Sequence, residues 1–193
     1  MTAGTSACRN GLKSVLTEVL AIVLLSTVCA VALVELVGYL WHRFVEHLGC
    51  LGDTARYRHW VHHEIDYPVA SLRPGGRAGY RKAGSWTWFA LGGAAVVLMF
   101  ILLPLGYAAA LALGVVAYSW GVISYLHCRF HVEGHWLQRF AWFRRVRRLH
   151  DIHHWQPCNY GILFFGLDRL FGTLREDFPA RRENIFPGYI TPP

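Results

Sequence analysis

Ten of the chain's eleven histidines fall into four clusters between His42 and His154. In order they are His42-x4-His47, His59-x2-His62-His63, His127-x3-His131 and His150-x2-His153-His154. Neutral imidazole is a good ligand for zinc and iron. A single ion takes roughly four to six ligands, so ten imidazoles are too many for one. The fold must therefore bring remote stretches of chain to a site for more than one metal ion. On a helix, positions i, i+3 and i+4 share a face, so His59/His62/His63 and His150/His153/His154 can each present a compact triplet. His127 and His131 form an i, i+4 pair. His42 and His47 would sit about 140° apart on an ideal helix, so they either serve different metals or straddle a distortion. His135 stands alone and is left outside the set.

Composition narrows the class of protein. The chain has 193 residues, 54% hydrophobic and 16% charged, whereas a soluble domain is about a quarter charged. The apolar residues are concentrated in blocks, which predicts a membrane protein. The five cysteines (Cys8, Cys29, Cys50, Cys128 and Cys158) are scattered and odd in number. Without a C-x2-C pair they suggest neither a disulfide framework nor a thiolate zinc site. Cys128, inside the third cluster, reads as a small filler. The net charge of +7 does not point to nucleic acid, because the basic residues flank apolar spans and suit a membrane surface.

Residues 15–40 carry only Glu18 and Glu35 as charges, enough apolar length for a bilayer crossing. This predicts a transmembrane helix and not a cleaved signal peptide. It is expected to run on past the membrane to carry His42 and His47. Glu35 lies two helical turns before His42; it orients a ligand, lines a cavity or is an interfacial carboxylate. Residues 43–82 are polar and basic, with a Pro/Gly-rich centre at Arg73-Pro74-Gly75-Gly76. Residues 86–103 and 107–126 are apolar, separated by Pro104 and Gly106, and predict a helical hairpin that returns His127 and His131 to the side of the first two clusters. Residues 140–154 suit an interfacial helix with an arginine-rich face.

The expected fold is an all-α integral membrane protein with about three transmembrane helices and a helical cap carrying the metal site. The loop 43–85 holds seven Lys/Arg and the segment from 129 onward ten, against Arg9 and Lys13 before the first span. The positive-inside rule puts the cap in the cytoplasm.

The four clusters resemble the histidine boxes of the membrane fatty acid hydroxylase and sterol desaturase superfamily. Asn159-Tyr160-Gly161, followed by Asp168-Arg169-Leu170-Phe171-Gly172-Thr173, is similar to the signature that closes that domain, with Leu167 where the family often has Trp. The stretch from His42-Arg43-Phe44 to Ser71-Leu72 resembles 2-hydroxylases of fatty acids and sphingolipid acyl chains. The resemblance covers residues 35–178, and the whole chain, 1–193, is expected to be one membrane-embedded domain.

The resemblance implies a pair of iron ions above a membrane-embedded substrate tunnel. It carries ligand roles onto His42, His47, His59, His62, His63, His127, His131, His150, His153 and His154. It further implies reductive activation of O2 and hydroxylation of an unactivated C–H bond. An imidazole site suits redox-active iron, and zinc, which has no redox chemistry, can substitute in isolated protein. The sequence carries no haem-binding, flavin or Cys-ligated cluster motif, so a separate cytochrome or ferredoxin is the expected electron donor. The basic stretch with Arg144, Arg145, Arg147 and Arg148 offers it a dock, or else meets lipid phosphates. Carboxylates commonly orient metal-bound histidines. Glu46, Glu64, Asp66 and Asp151 stand beside the boxes; Asp151, within the fourth, is favoured, with Asp168 and Glu35 as further candidates.

Other functions remain in view. A carotenoid ring hydroxylase would be similarly short, but its third box resembles His-x4-His and it lacks the N-Y-G ending. A desaturase would use the same type of site. A membrane metal transporter or sensor would place ion ligands near the bilayer midplane, whereas these boxes lie at helix ends and in basic segments.

Overall fold

The computed structural model describes residues 3–67, 86–132, 134–181, 183–186 and 188–189, with the backbone alone for 3–10 and 86–90. The Arg73–Gly76 stretch and Ser71–Leu72 lie outside the described residues. Every regular element among the described residues is helical.

Helix α1, Ala3–Leu40, is about 57 Å long at the usual rise, well beyond the bilayer's roughly 30 Å hydrocarbon core. Helix α3, Trp86–Leu102, is followed after a break at Pro104 by α4, Leu105–Val116; the break falls where Pro104 stands in the sequence. From α4 the chain continues as a π-helix, Ala117–Ser124, into α5, Tyr125–Phe130. Two stretches, Gly11–His47 and Leu105–Phe130, are long and apolar enough to cross a membrane.

Helices α1 and α4 form the main helix pair. Their contact is built from small side chains. Ser26, Ala30 and Val34 recur every four residues along α1 and are buried, as are Ala108 and Ala112 on α4. A Cβ on Gly114 would come within 2.9 Å of the Ala30 Cβ, so the backbones approach as closely as side chains allow. Small residues drive such contacts in lipid, where apolar side chains gain nothing by leaving the tails. The outer faces carry exposed Leu16, Leu20, Leu24, Leu113 and Trp120; on a soluble protein such a continuous apolar surface would drive aggregation.

At its end α1 widens into a π-helix, Trp41–His47. A short turn leads to α2, Asp53–Val61, and a second π segment, His62–Asp66. Beyond α5, Gly134 adopts φ 69° and turns the backbone. A 3-10 turn, Trp136–Arg139, precedes α6, Ala141–His153. Phe143, Val146, Leu149 and Ile152 bury one face of α6. Leu126 and Phe130 of α5 pack on Phe143 and Val146, and Leu149 and Ile152 pack with Cys158. This core joins the fourth histidine cluster to the third. The short α7, Gly166–Leu170, closes the signature segment.

Candidate metal centre

The ten box histidines meet at one place. His42, His47, His59, His63 and His153 form one group whose ligand atoms all lie within 4.8 Å of one another, and His62, His127, His131 and His150 form a second. His62, His63 and His154 form a third set that shares a residue with each. Each group can hold a metal ion.

The π-helix answers the question left by the five-residue spacing. The Leu48 N–H donates to the Arg43 carbonyl at 3.3 Å, an i to i−5 bond. The wider turn brings His42 and His47 to one side, with ring centroids 5.1 Å apart, in the same five-histidine group. A single wide turn of this kind commonly marks a functional site. The two triplets are divided instead of shared. From the second box His59 and His63 join the first group and His62 the second; from the fourth box His153 joins the first and His150 the second. Adjacent residues on a helix point about 100° apart, which lets one box serve two positions.

Backbone carbonyls fix the orientation of three rings. His42 Nδ1 donates to the Tyr160 carbonyl at 2.7 Å, His153 Nδ1 to the Cys158 carbonyl at 2.7 Å and His154 Nδ1 to the Tyr67 carbonyl at 3.3 Å. In a neutral ring this leaves a lone pair on each Nε2, and those atoms point inward. His42 Nε2 and His47 Nε2 each lie 3.0 Å from His59 Nε2. His63 Nε2 is also 3.0 Å from His59 Nε2, and His47 Nε2 is 3.3 Å from His153 Nε2. In the second group His150 Nε2 is 3.0 Å from His131 Nε2, and it lies 3.2 Å from His154 Nε2 of the third set.

Lone pairs facing at such distances repel unless a cation lies among them. With metal–nitrogen bonds of roughly 2.1 Å, the edge of an octahedron is about 3.0 Å and that of a tetrahedron about 3.4 Å. The observed separations match ligand–ligand edges, so the donor set fits a pair of metal ions. Burial, and after it neighbouring imidazoles, holds His59, His62, His63, His131, His150 and His153 well below the ordinary imidazole pKa. The rings are therefore neutral, the form that binds metal.

The signature segment builds the carbonyl supports. The Asp168 carboxylate accepts from the Tyr160 and Gly161 N–H groups at 2.8 Å each, and from the Thr173 hydroxyl at 2.7 Å. Asn159, at φ 51°, donates to the Leu149 and Arg175 carbonyls and accepts from the Arg175 N–H. Residues 158–161 are thereby held so that alternate carbonyls face His153 and His42. A Cβ on Gly161 would lie 2.8 Å from the Phe164 carbonyl and 2.9 Å from Asp168 Oδ2, so only glycine fits.

The other carboxylates divide. Glu46 lies 3.7 Å from His59 Nδ1 and accepts from Trp41 Nε1 at 3.2 Å. Asp151 and Glu64 are buried and Asp66 is half-buried. Glu35 accepts from the Tyr118 hydroxyl at 2.6 Å and is part of the α1–α4 side of the fold. Glu46 thus stands beside a box imidazole, and Asp151, the carboxylate inside the fourth box, is buried. His135 stays outside the groups; its Nδ1 accepts from the Leu137 N–H at 3.3 Å and caps the 3-10 turn.

The arginines of the basic stretch are partly engaged. Arg147 is buried, Arg144 donates to the Gln138 and Arg139 carbonyls, and Arg145 and Arg148 pair with Glu176 and Asp177 at 2.9 and 3.1 Å. Those two pairs are exposed, and such pairs hold weakly.

Sequence reasoning missed Phe186, a side chain 1% exposed and stacked on His47 with centroids 4.9 Å apart. It lies in a stretch without helical periodicity, so no pattern flagged it.

Helical elements alone among the described residues, two membrane-length apolar helices and two polyhistidine groups that could hold metal define a class of membrane protein with a candidate metal site. The fatty acid hydroxylase family model matches residues 27–173, and the chain belongs to that family, within the membrane fatty acid hydroxylase and sterol desaturase superfamily. No curated protein matches the chain significantly, and no solved structure does.

Proposed function

We propose that this protein is a membrane-bound di-iron oxygenase that hydroxylates the acyl chain of a fatty acid or sphingolipid-type lipid. The observation that carries the reading is the convergence of inward Nε2 lone pairs into two groups in a chain of the fatty acid hydroxylase family. When bound, the iron pair supplies reductive activation of O2 for insertion into a C–H bond. His42, His47, His59, His63 and His153 hold one ion. His62, His127, His131 and His150 hold the other, with His154 beside the boundary. The Tyr160, Cys158 and Tyr67 carbonyls keep three of these rings in the metal-binding tautomer. Burial of His59, His63, His150 and His153 to 1% exposure or less keeps water out of the coordination sphere, where it would compete with O2.

The same reading makes α3 a third membrane crossing beside the two apolar stretches and puts the metal centre on the cytoplasmic side, as the distribution of Lys and Arg favours. The whole chain acts as one domain. Electrons come from a separate cytochrome or ferredoxin, and zinc can replace iron in isolated protein.

The decisive experiment is mass spectrometry of lipids from cells with and without the gene. A gain of one oxygen atom on one acyl-bearing lipid class is expected. Loss of two hydrogens would make the protein a desaturase instead, and an unchanged lipid profile in cells containing the metal-loaded protein would overturn the reading.

A further inference from the structure

Residues 183–186 and 188–189 follow the family-matched region and return to the metal centre. They start beside Trp155, just past the end of α6, with the Glu183 N–H bonded to the Trp155 carbonyl at 3.2 Å. Ile185 and Phe186 are then buried, at 3% and 1% exposure. The Phe186 ring lies nearly parallel to His47, at 15° and 4.9 Å. It meets His63 at 5.3 Å and His59 at 5.9 Å, both edge to face. All three are members of the five-histidine group. No ring contact joins Phe186 to His127, His131 or His150 among the described residues.

The end of the segment is fastened elsewhere. Tyr189 stacks on Trp60 at 5.6 Å and 22°, and Trp60 stacks on Tyr57 at 5.7 Å and 25°. The Arg56 guanidinium sits 5.0 Å from the centre of the Tyr189 ring, and Arg56 Nε also donates to the His47 carbonyl at 3.0 Å. The strap therefore runs from the end of α6 across the first group to the outer face of α2. Its outermost anchor, Tyr57, is 52% exposed. The second group is covered differently, by Tyr67 stacked on His131 at 3.9 Å.

We propose that the strap formed by residues 183–186 and 188–189 is the retaining lid of the five-histidine position: Phe186 closes it and holds the plane of His47, and metal exchanges there only when the strap lifts. Three contacts on one side of a small site explain why. His47, His59 and His63 have 2%, 1% and 0% exposure, and the ring that covers them belongs to a short segment outside the helical core. Such a segment opens locally at a smaller cost than the helices do. Aromatic contacts on α2 set that cost. Phe186 acts through His47, so it is a positioning residue. The two metal positions consequently differ in exchange rate even though both are built from imidazole.

The inference rests on the metal-binding part of the proposed function. Its test uses the full chain in detergent, loaded with zinc(II) and challenged with excess 4-(2-pyridylazo)resorcinol. Release should have two phases, and the phase missing from His47→Ala is assigned to the five-histidine position. In Phe186→Ala that phase should accelerate by about tenfold or more, the kinetic equivalent of losing strong ring contacts, with the other phase unchanged. Phe186→Leu should restore much of the retention. Tyr189→Ala, which touches no imidazole ring, should accelerate the same phase by a smaller factor, and it decides the matter if Phe186→Ala does not fold. Equal acceleration of both phases, or no change in either variant, would overturn the lid. A wild-type chain that binds no zinc would overturn the metal-binding reading as well; two zinc ions with unaltered release would overturn the lid alone.

Discussion

Asp168 and His42 are joined through one peptide group. The Tyr160 carbonyl accepts from His42 Nδ1 at 2.7 Å, and the N–H of that same peptide, on Gly161, donates to Asp168 Oδ2 at 2.8 Å. Hydrogen bonds in series polarise one another. The carboxylate thus strengthens the carbonyl that holds His42, without touching the ring. Asp168→Asn keeps the shape but loses an acceptor where Tyr160, Gly161 and Thr173 all donate. We expect a fall of about 10–100-fold in metal affinity or activity, the usual consequence of losing an outer support of a ligand. Metal titration of the purified variant by elemental analysis checks it; unchanged affinity would show that Asp168 only ties the loop together.

Gly161→Ala tests the same loop by volume. The new methyl would meet the Phe164 carbonyl and Asp168 Oδ2 at under 3 Å; the first is backbone and the second belongs to a carboxylate pinned by three hydrogen bonds. A loss of roughly 1–3 kcal/mol is expected, as for other overpacked sites. The readout is the thermal midpoint of the metal-free protein in detergent, which separates backbone strain from lost ligation. A midpoint equal to the wild type would mean that the loop yields without cost.

Much of this site could be read from the residues alone. The spacing of each box, the helix break at Pro104 and the signature segment are local patterns, and local patterns survive in sequence. The division of the boxes is not local. Whether His62 joins His59 or His131 depends on where α5 and α6 pack, which no periodicity states. The π turn at 41–47 likewise has no compositional mark; it is visible only as a five-residue interval that an ideal helix cannot use. It also brings Glu46 to within 3.7 Å of His59 Nδ1, which proximity to a box in sequence did not single out. Phe186 was invisible for a further reason: a single aromatic residue in a non-periodic segment has many possible partners.

Cys50 offers a native reporter of topology. It is exposed and lies in the turn that follows His47, on the side of the metal centre. With Cys8 replaced by serine, a membrane-impermeant maleimide should label Cys50 in inside-out vesicles and not in sealed cells. Labelling from the outer face would reverse the orientation deduced from Lys and Arg.

Tyr118→Phe removes the hydroxyl that donates to Glu35 at 2.6 Å. Hydrogen bonds between membrane helices contribute about 0.6 kcal/mol on average and up to about 1.7. The variant should be less stable by an amount in that range, measured by unfolding in detergent, while both metals remain bound. Loss of a metal equivalent would instead tie Glu35 directly to the centre.

His131 and His135 separate ligand from neighbour most sharply. Both follow the second long apolar stretch, four residues apart, so a continuous helix would put both on the face of His127. The chain does not continue as a helix. α5 ends at Phe130, His131 sits at its cap with φ −89° and ψ 3°, and Gly134 at φ 69° turns the backbone away. His131 stays 5% exposed with Nε2 3.0 Å from His150 Nε2, while His135 is half-buried and engaged with the Leu137 N–H. His131→Ala removes one nitrogen from the four-histidine group and leaves a cationic position short of a donor in a buried site, where water replaces it poorly. It should lose close to one metal equivalent and essentially all hydroxylation. His135→Ala removes only a cap on a one-turn helix, worth about 1 kcal/mol, and should retain both metals and most of the activity. Elemental analysis alongside lipid product analysis of the two purified variants decides it: metal loss in His135→Ala with retention in His131→Ala would mean that the third box ends at residue 135.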